Sequence, residues 1–265
     1  MTDLSSARVA FLGFGNMACA MADGFIRSGI LPAAQLGAAS RRQDVLLGRT
    51  SARGMQAFAT CREAAEWADI VVIAVKPHLV ADVVTPISDV LKDKLVLSVA
   101  VNKLFDDLEA VLEPGTRHLS TLPNTPVSVC EGIVICEERH SMTPEDTALV
   151  EKLFGALGLC LFVPAKIMPA AGTLSGCGPA FAAMFIEALA DGAVKHGVPR
   201  AAAYQLASQM LAGTAKLQLA TGQHPGVMKD AVCSPGGTTI IGVAALERAG
   251  LRSSVIEAID AIVKR

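Results

Sequence analysis

Along the first three-fifths of the chain, short apolar runs rich in β-branched residues alternate with stretches of helical periodicity. Val9–Leu12, Leu36–Ala39, Ile70–Val75, Leu95–Val99 and His118–Leu122 predict strands, and 16–28, 43–53, 61–68, 79–91 and 103–112 predict the helices between them. Strands separated by helices of about 10–15 residues indicate βαβ units and a parallel sheet covered on both faces. Ile70-Val-Val-Ile-Ala-Val75 is apolar on both alternating faces, as a central parallel strand must be. Residues 133–136, a helix from about Thr143 and the run Leu159–Val163 complete this sheet.

After Pro164 the period changes. The chain becomes rich in Ala, Leu, Met and Ile, with helical candidates at about 170–196, 200–220, 225–232, 239–248 and 252–264 and no convincing strand. Gly197, Gly222, Gly236-Gly237 and Gly250 punctuate them. On the first, Glu187, Asp191 and Lys195 make a single polar stripe at i, i+4, i+8, so nearly all of its circumference needs cover. A helical segment that apolar is expected to pack against a second copy of itself.

Composition narrows the class. With 265 residues, 52% of them hydrophobic, and a formal charge of −2, the chain is neither disordered nor a basic nucleic-acid binder, and it is long enough for two domains. Its seven cysteines, at 19, 61, 130, 136, 160, 177 and 233, fit no C-x-x-C or Cys/His spacing, so no metal site is expected. Scattered thiols suit a reducing compartment. The most apolar stretch, 178–194, carries Glu187 and Asp191 and falls short of an uncharged membrane span. The expectation is a soluble cytoplasmic protein without a membrane or nucleic-acid partner.

The first chemical signal is Gly13-Phe14-Gly15-Asn16-Met17-Ala18, directly after the first strand and opening a helix. In G-x-G-x-x-A the first glycine makes the tight turn, the second lets backbone approach a pyrophosphate, and the small third residue lets helix pack on strand. The pyrophosphate then meets unpaired N–H groups at a positive helix end. At the end of the second strand an NAD enzyme offers a carboxylate for the ribose hydroxyls; this chain offers Ser40-Arg41-Arg42. A hydroxyl and two guanidinium forks suit a 2′-phosphate, so NADPH is expected as cofactor and NADH as the weaker one. The second signal is Ser234-Pro-Gly-Gly-Thr-Thr239 ahead of a helix, a turn with several amides pointing one way and hydroxyls beside them, suited to a small carboxylate.

Taken together, G-F-G-N-M-A at 13–18, A-V-K-P at 74–77, L-P-N-T-P at 122–126, S-G-C-G-P-A-F at 175–181 and S-P-G-G-T-T at 234–239 resemble the pyrroline-5-carboxylate reductase family in order and spacing over nearly the whole chain. The resemblance implies a doubly wound Rossmann-type domain over 1–163 and an all-helical dimerisation and substrate domain over 164–265. It also implies a homodimer, often in a ring of dimers, and NADPH-dependent reduction of 1-pyrroline-5-carboxylate to L-proline. By motif, Gly13, Phe14, Gly15, Asn16 and Met17 would cradle the pyrophosphate, and Ser40 and Arg41 the 2′-phosphate with Arg42 adjacent. Ala74, Val75, Lys76, Pro77, Val99 and Ala100 would line the ribose and nicotinamide. Ser234, Gly237, Thr238 and Thr239 would hold the imine carboxylate, with the Thr239 hydroxyl facing the ring nitrogen as the catalytic contact.

Four positions depart from the family pattern: Cys61 for an asparagine, Asn102 for a glycine, Ala165 for a glutamate and Cys177 for a serine. The rival readings are an NADPH-dependent reductase of a related cyclic imine, one acting on a β-hydroxyacid-type substrate, and a nucleotide sensor that lost turnover. His224, before Pro225, reads as a turn or cap residue, and Asn124 either as a rigid turn or as part of the site.

Overall fold

The computed structural model describes residues 4–264, which form two compact units meeting between Gly176 and Cys177. The first holds an eight-stranded sheet of β1 (Val9–Leu12), β2 (Leu36–Ala39), β3 (Gln56–Phe58), β4 (Ile70–Ile73), β5 (Leu95–Ser98), β6 (Arg117–Pro123), β7 (Gly132–Glu137) and β8 (Gly158–Val163). Their order across the sheet is β3-β2-β1-β4-β5-β6-β7-β8. All neighbours pair parallel except β6 with β7.

Helices α1 (Asn16–Ser28), α2 (Gln43–Ser51) and α3 (Cys61–Trp67) provide the early crossovers. α4 (Val80–Val84), α5 (Ser88–Leu91), α6 (Phe105–Glu109) and α7 (Pro144–Gly155) follow. Every residue of β1, β4 and β5 is buried, and alternate residues feed different cores. Val9, Phe11, Val72 and Leu97 join one cluster, whereas Ala10, Leu12, Val71, Ile73 and Val96 join the other. That two-sided burial is why these strands read as continuous apolar runs.

The sequence expectation differs most in three places, besides element ends such as the helix expected over 103–112, which spans only Phe105–Glu109. β3 was not foreseen, because Gln56-Ala-Phe58 is three residues long at a sheet edge and carries no alternation to read. The helix expected over 79–91 is four short pieces, 3₁₀ at Pro77–Leu79 and Thr85–Ile87 and α at Val80–Val84 and Ser88–Leu91, since Pro86 cannot continue a helical ladder. The strand expected to reach Val75 ends at Ile73, which leaves Ala74 and Val75 as a loop.

Helix α8 (Met168–Lys195) begins in the first unit and ends in the second, which continues with α9 (Arg200–Thr221), α10 (Pro225–Ala231), α11 (Thr238–Arg248) and α12 (Leu251–Val263). Among the described residues from Cys177 on, the only buried hydrophobic side chains are Ala190, Ala203 and Ala207. Leu206, Leu219, Ile241 and Ile256 are each more than 60% exposed. The unit therefore has almost no core within one chain, and its large side chains face outward. Residues 165–195 are long and apolar enough to cross a bilayer by length and composition alone.

Candidate functional site

Parallel pairing puts the carboxyl ends of β1, β2, β4 and β5 on one edge of the sheet, the place where open α/β sheets receive ligands. β1 ends at Leu12, and Gly13 turns with φ +90 while its N–H donates to the Ala39 carbonyl at 2.8 Å. A Cβ there would stand 2.7 Å from both the Ala74 carbonyl oxygen and Val75 Cγ1. Gly13 is glycine for the fold's own reasons, backbone conformation and close approach to the turn that follows β4. Gly15 differs: it precedes α1 with φ −85 and a Cβ on it would meet nothing within 4 Å. The first bond of the helix is Cys19 N–H to the Gly15 carbonyl, so the Asn16, Met17 and Ala18 amides lie in the unpaired first turn. Ala18 is buried against the sheet, the small residue the motif demands.

β2 delivers Ser40, Arg41 and Arg42 to the same edge, with Arg42 at the start of α2. Both guanidiniums are exposed, at a helix end whose dipole disfavours cations, and no hydrogen bond or ion pair among the described residues engages them. Unpaired N–H groups beside an open Gly15 and two unpartnered arginines one strand away fit a dinucleotide carrying an extra phosphate.

Ala74, Val75, Lys76 and Pro77 form the turn after β4, tied by Ala74 N–H to the Leu12 carbonyl at 2.8 Å. Lys76 is exposed at the start of the Pro77–Leu79 3₁₀ turn. Val99 and Ala100 follow β5, where Ala100 is buried and its N–H reaches Ser98 Oγ at 3.3 Å. The structure thus brings every cofactor candidate read from the sequence to one edge.

Asn102, standing for the family's glycine, has φ +58, the left-handed conformation that asparagine tolerates better than most residues. Cys61 opens α3, and burial pushes its thiol up, away from reactivity. Ala165 begins an exposed 3₁₀ turn, and Cys177 is half-buried in α8.

Sequence reasoning missed Arg49. Its Nη1 donates to the Phe14 carbonyl at 2.7 Å, bracing the phosphate loop from α2. Four residues on, Arg53 grips Asp23 of α1 bidentately at 2.6 and 2.8 Å. These partners lie 30 or more positions apart, and no local pattern announces them. An open groove of about 400 Å³ lies along α1 between these arginines and Thr125 and Ser128.

In the second unit, Ser234-Pro-Gly-Gly-Thr-Thr239 leads into α11. The Gly237 N–H closes a turn on the Ser234 carbonyl at 3.0 Å, so that amide is already engaged. A Cβ on Gly237 would collide with the Ser234 hydroxyl, which therefore needs a glycine to lie against the loop. Gly236 has φ +69. Thr238 and Thr239 occupy the first turn of α11, exposed, with unpaired amides. The His224 ring accepts from Gly226 N–H at 3.1 Å, the capping role expected of it. No group of His, Cys, Asp and Glu among the described residues could hold a metal ion.

Comparison with known proteins agrees with both halves. A family model described as pyrroline-5-carboxylate reductase dimerisation matches residues 165–265, and one described as NADP oxidoreductase, coenzyme F420-dependent, matches residues 8–102. The chain is 40% identical to a pyrroline-5-carboxylate reductase of Treponema pallidum, over 96% of this chain and 97% of that one. It is 39% identical to one of Escherichia coli over 97% and 96%. A crystal structure of Plasmodium falciparum pyrroline carboxylate reductase with NADP bound superposes with a TM-score of 0.87 at 29% identity, over 97% of this chain and 96% of the other. Identity of 39–40% over nearly the full length of both chains, with the dimerisation model spanning residues 165–265, makes the chain a member of the pyrroline-5-carboxylate reductase family.

Proposed function

We propose that this protein reduces 1-pyrroline-5-carboxylate to L-proline with NADPH, the last step of proline synthesis. The observation that carries this reading is likeness to the reductases across nearly the whole chain. Bound NADPH supplies the hydride.

The chain's own residues then bind and orient. The Asn16 and Met17 amides meet the pyrophosphate, Gly15 leaves room for it, and Ser40, Arg41 and Arg42 take the 2′-phosphate. Ala74 to Pro77 and Val99-Ala100 line the ribose and nicotinamide. The Thr238 and Thr239 amides and the Ser234 hydroxyl hold the carboxylate, and Gly237, lacking a Cβ, leaves that hydroxyl its room. A cyclic iminium already carries its proton near neutral pH, so no side chain has to be a strong acid. The Thr239 hydroxyl then acts by donating to the lone pair that the nitrogen gains as it becomes an amine. Most of the catalysis is positioning, which can contribute about 7–11 kcal/mol when two reactants are held in reacting geometry.

The bare helices of the second unit are read as one half of a homodimer formed through residues after about 165, with rings of dimers as the further assembly. That cover also accounts for the apolar length of α8 without a membrane, and we place the protein in the cytoplasm. The deciding experiment measures NADPH oxidation with pyrroline-5-carboxylate, with six-membered imine carboxylates and with ketones derived from β-hydroxyacids. Turnover of the five-membered imine above the others is expected. Preference for another substrate would reassign the enzyme, and no turnover with any would favour the sensor reading.

A further inference from the structure

Asn124 joins three elements at the carboxyl edge. It follows β6 directly, is 5% exposed, and its Oδ1 accepts the Ile133 N–H at 2.8 Å while its own N–H reaches the Ile133 carbonyl at 3.0 Å. Its Nδ2 donates to the Ser175 carbonyl, in the N-terminal third of α8, at 3.0 Å. A helical carbonyl at 175 is normally bonded by the N–H of residue 179, and residue 179 is Pro179, the proline inside α8. Proline has no N–H, so Ser175 is left with a buried, unpaired carbonyl unless something else donates to it. The asparagine side chain supplies that donor from 51 positions away.

The neighbouring contacts give this bond a place in the site. Gly172 of α8 lies so close to Leu122 of β6 that a Cβ would stand 2.7 Å from its methyl. β6 is the strand beside β5, and Thr121 Oγ1 donates to the Ser98 carbonyl at 2.9 Å, one residue before Val99-Ala100. The segment Gly172 to Gly176 is therefore seated against the end of β6, the strand that pairs with β5, whose end is assigned above to the nicotinamide.

We propose that Asn124 is a positioning residue: its side-chain amide replaces the helical N–H that Pro179 lacks, and so holds the Gly172–Gly176 turn of α8 as a wall beside the nicotinamide end of the site. The proposal rests on the reductase reading for which reaction to measure. Pro179 introduces the break in the ladder, and Asn124 makes one geometry of that break the stable one. Without the asparagine, the turn relaxes and the imine is held less well against the cofactor, while the phosphate loop 13–17 and Arg41-Arg42 are untouched.

The test is a double-mutant cycle on the full-length enzyme, with Asn124→Ala, Pro179→Ala and both together. Asn124→Ala should lower kcat/KM for pyrroline-5-carboxylate by about tenfold or more, the scale set by stranding a buried polar group, while NADPH affinity in direct binding stays within about twofold. In the Pro179→Ala background the restored helical N–H takes over the Ser175 carbonyl, so the same asparagine change should cost at least about threefold less. Equal penalties in the two backgrounds, or Asn124→Ala within about twofold of wild type, overturn the proposal.

Should Asn124→Ala fail to fold, Asn124→Asp is nearly the same shape and loses the donor only while ionised. Assayed at pH 8 and above, it should lose kcat/KM for pyrroline-5-carboxylate by about tenfold or more, with NADPH affinity within about twofold of wild type. Activity within about twofold of wild type there refutes the bond's role. Absence of turnover in the wild-type enzyme would instead strike at the reductase reading, which keeps the two failures apart.

Discussion

The two glycines of the phosphate loop should fail in opposite ways when each receives a methyl group. Gly13 has φ +90, and its new Cβ would meet the Ala74 carbonyl and Val75 Cγ1 at 2.7 Å, a distance that real Cβ atoms do not tolerate. Forcing an L-residue left-handed costs about 1–2 kcal/mol, and overpacking a close contact about 1–3 kcal/mol. Gly13→Ala should therefore destabilise the protein by about 2–5 kcal/mol, a large part of a domain's usual margin of about 5–15 kcal/mol.

Gly15 has an ordinary φ and open space where its Cβ would go, so Gly15→Ala should cost no more than about 1 kcal/mol, the price of alanine at a helix start. That same methyl occupies the approach of the pyrophosphate to the Asn16 and Met17 amides. Losing one charge-assisted bond of about 1.5–3 kcal/mol predicts NADPH binding weaker by roughly 10- to 150-fold. Stability is read from urea unfolding followed by Trp67, the only tryptophan, which packs on Phe58 and Gly37 in the same unit. Binding is read by direct titration. Gly15→Ala that binds NADPH like wild type would place the pyrophosphate elsewhere, and Gly13→Ala with an unchanged urea midpoint would refute the steric argument.

Four further outcomes are expected. Replacing Arg41 and Arg42 with alanine should weaken NADPH by about tenfold or more and NADH much less, measured as Kd for each; equal losses would exclude a 2′-phosphate contact. Thr239→Ala keeps the amide and loses the hydroxyl, so kcat should fall by roughly 3- to 12-fold with little change in KM, whereas Ser234→Ala should act mainly on KM; two silent variants would move the substrate away from this loop. Sedimentation at micromolar concentration should show at least a dimer, and a monomer would contradict the reading of the exposed Leu206, Leu219 and Ile256.

Buried Glu137 accepts the Phe105 N–H at 2.8 Å, and burial pushes its carboxyl pKa up. A folded-state pKa above the unfolded one means that its contribution to stability is largest in acid and is lost as pH rises through the ordinary carboxylate range. Glu137→Gln, which keeps an acceptor and removes the charge, should gain stability relative to wild type between about pH 4 and pH 7 in urea melts. A relative loss over that range would reverse the assignment.

The local physics of the chain determined a good deal by itself. Continuous apolar runs at β1, β4 and β5 announced strands covered on both faces, and Gly13, Gly15 and Ala18 announced a phosphate loop, because their chemistry acts within six consecutive residues. Ser40-Arg41-Arg42 and Ser234 to Thr239 were legible for the same reason: each anion site is built from adjacent backbone amides and side chains. Even the near-absence of a core after Cys177 was written in the single polar stripe of α8.

Only the tertiary structure decided what joins distant positions. It showed Arg49 bracing Phe14, Arg53 gripping Asp23, the edge strand Gln56–Phe58 and the left-handed Asn102. It also turned Asn124 from a residue between two prolines into the donor that Pro179 lacks. Such bonds depend on where the sheet brings its strand ends. Spacing along the chain carries no trace of them, because the partners meet only once the apolar runs have paired and buried themselves.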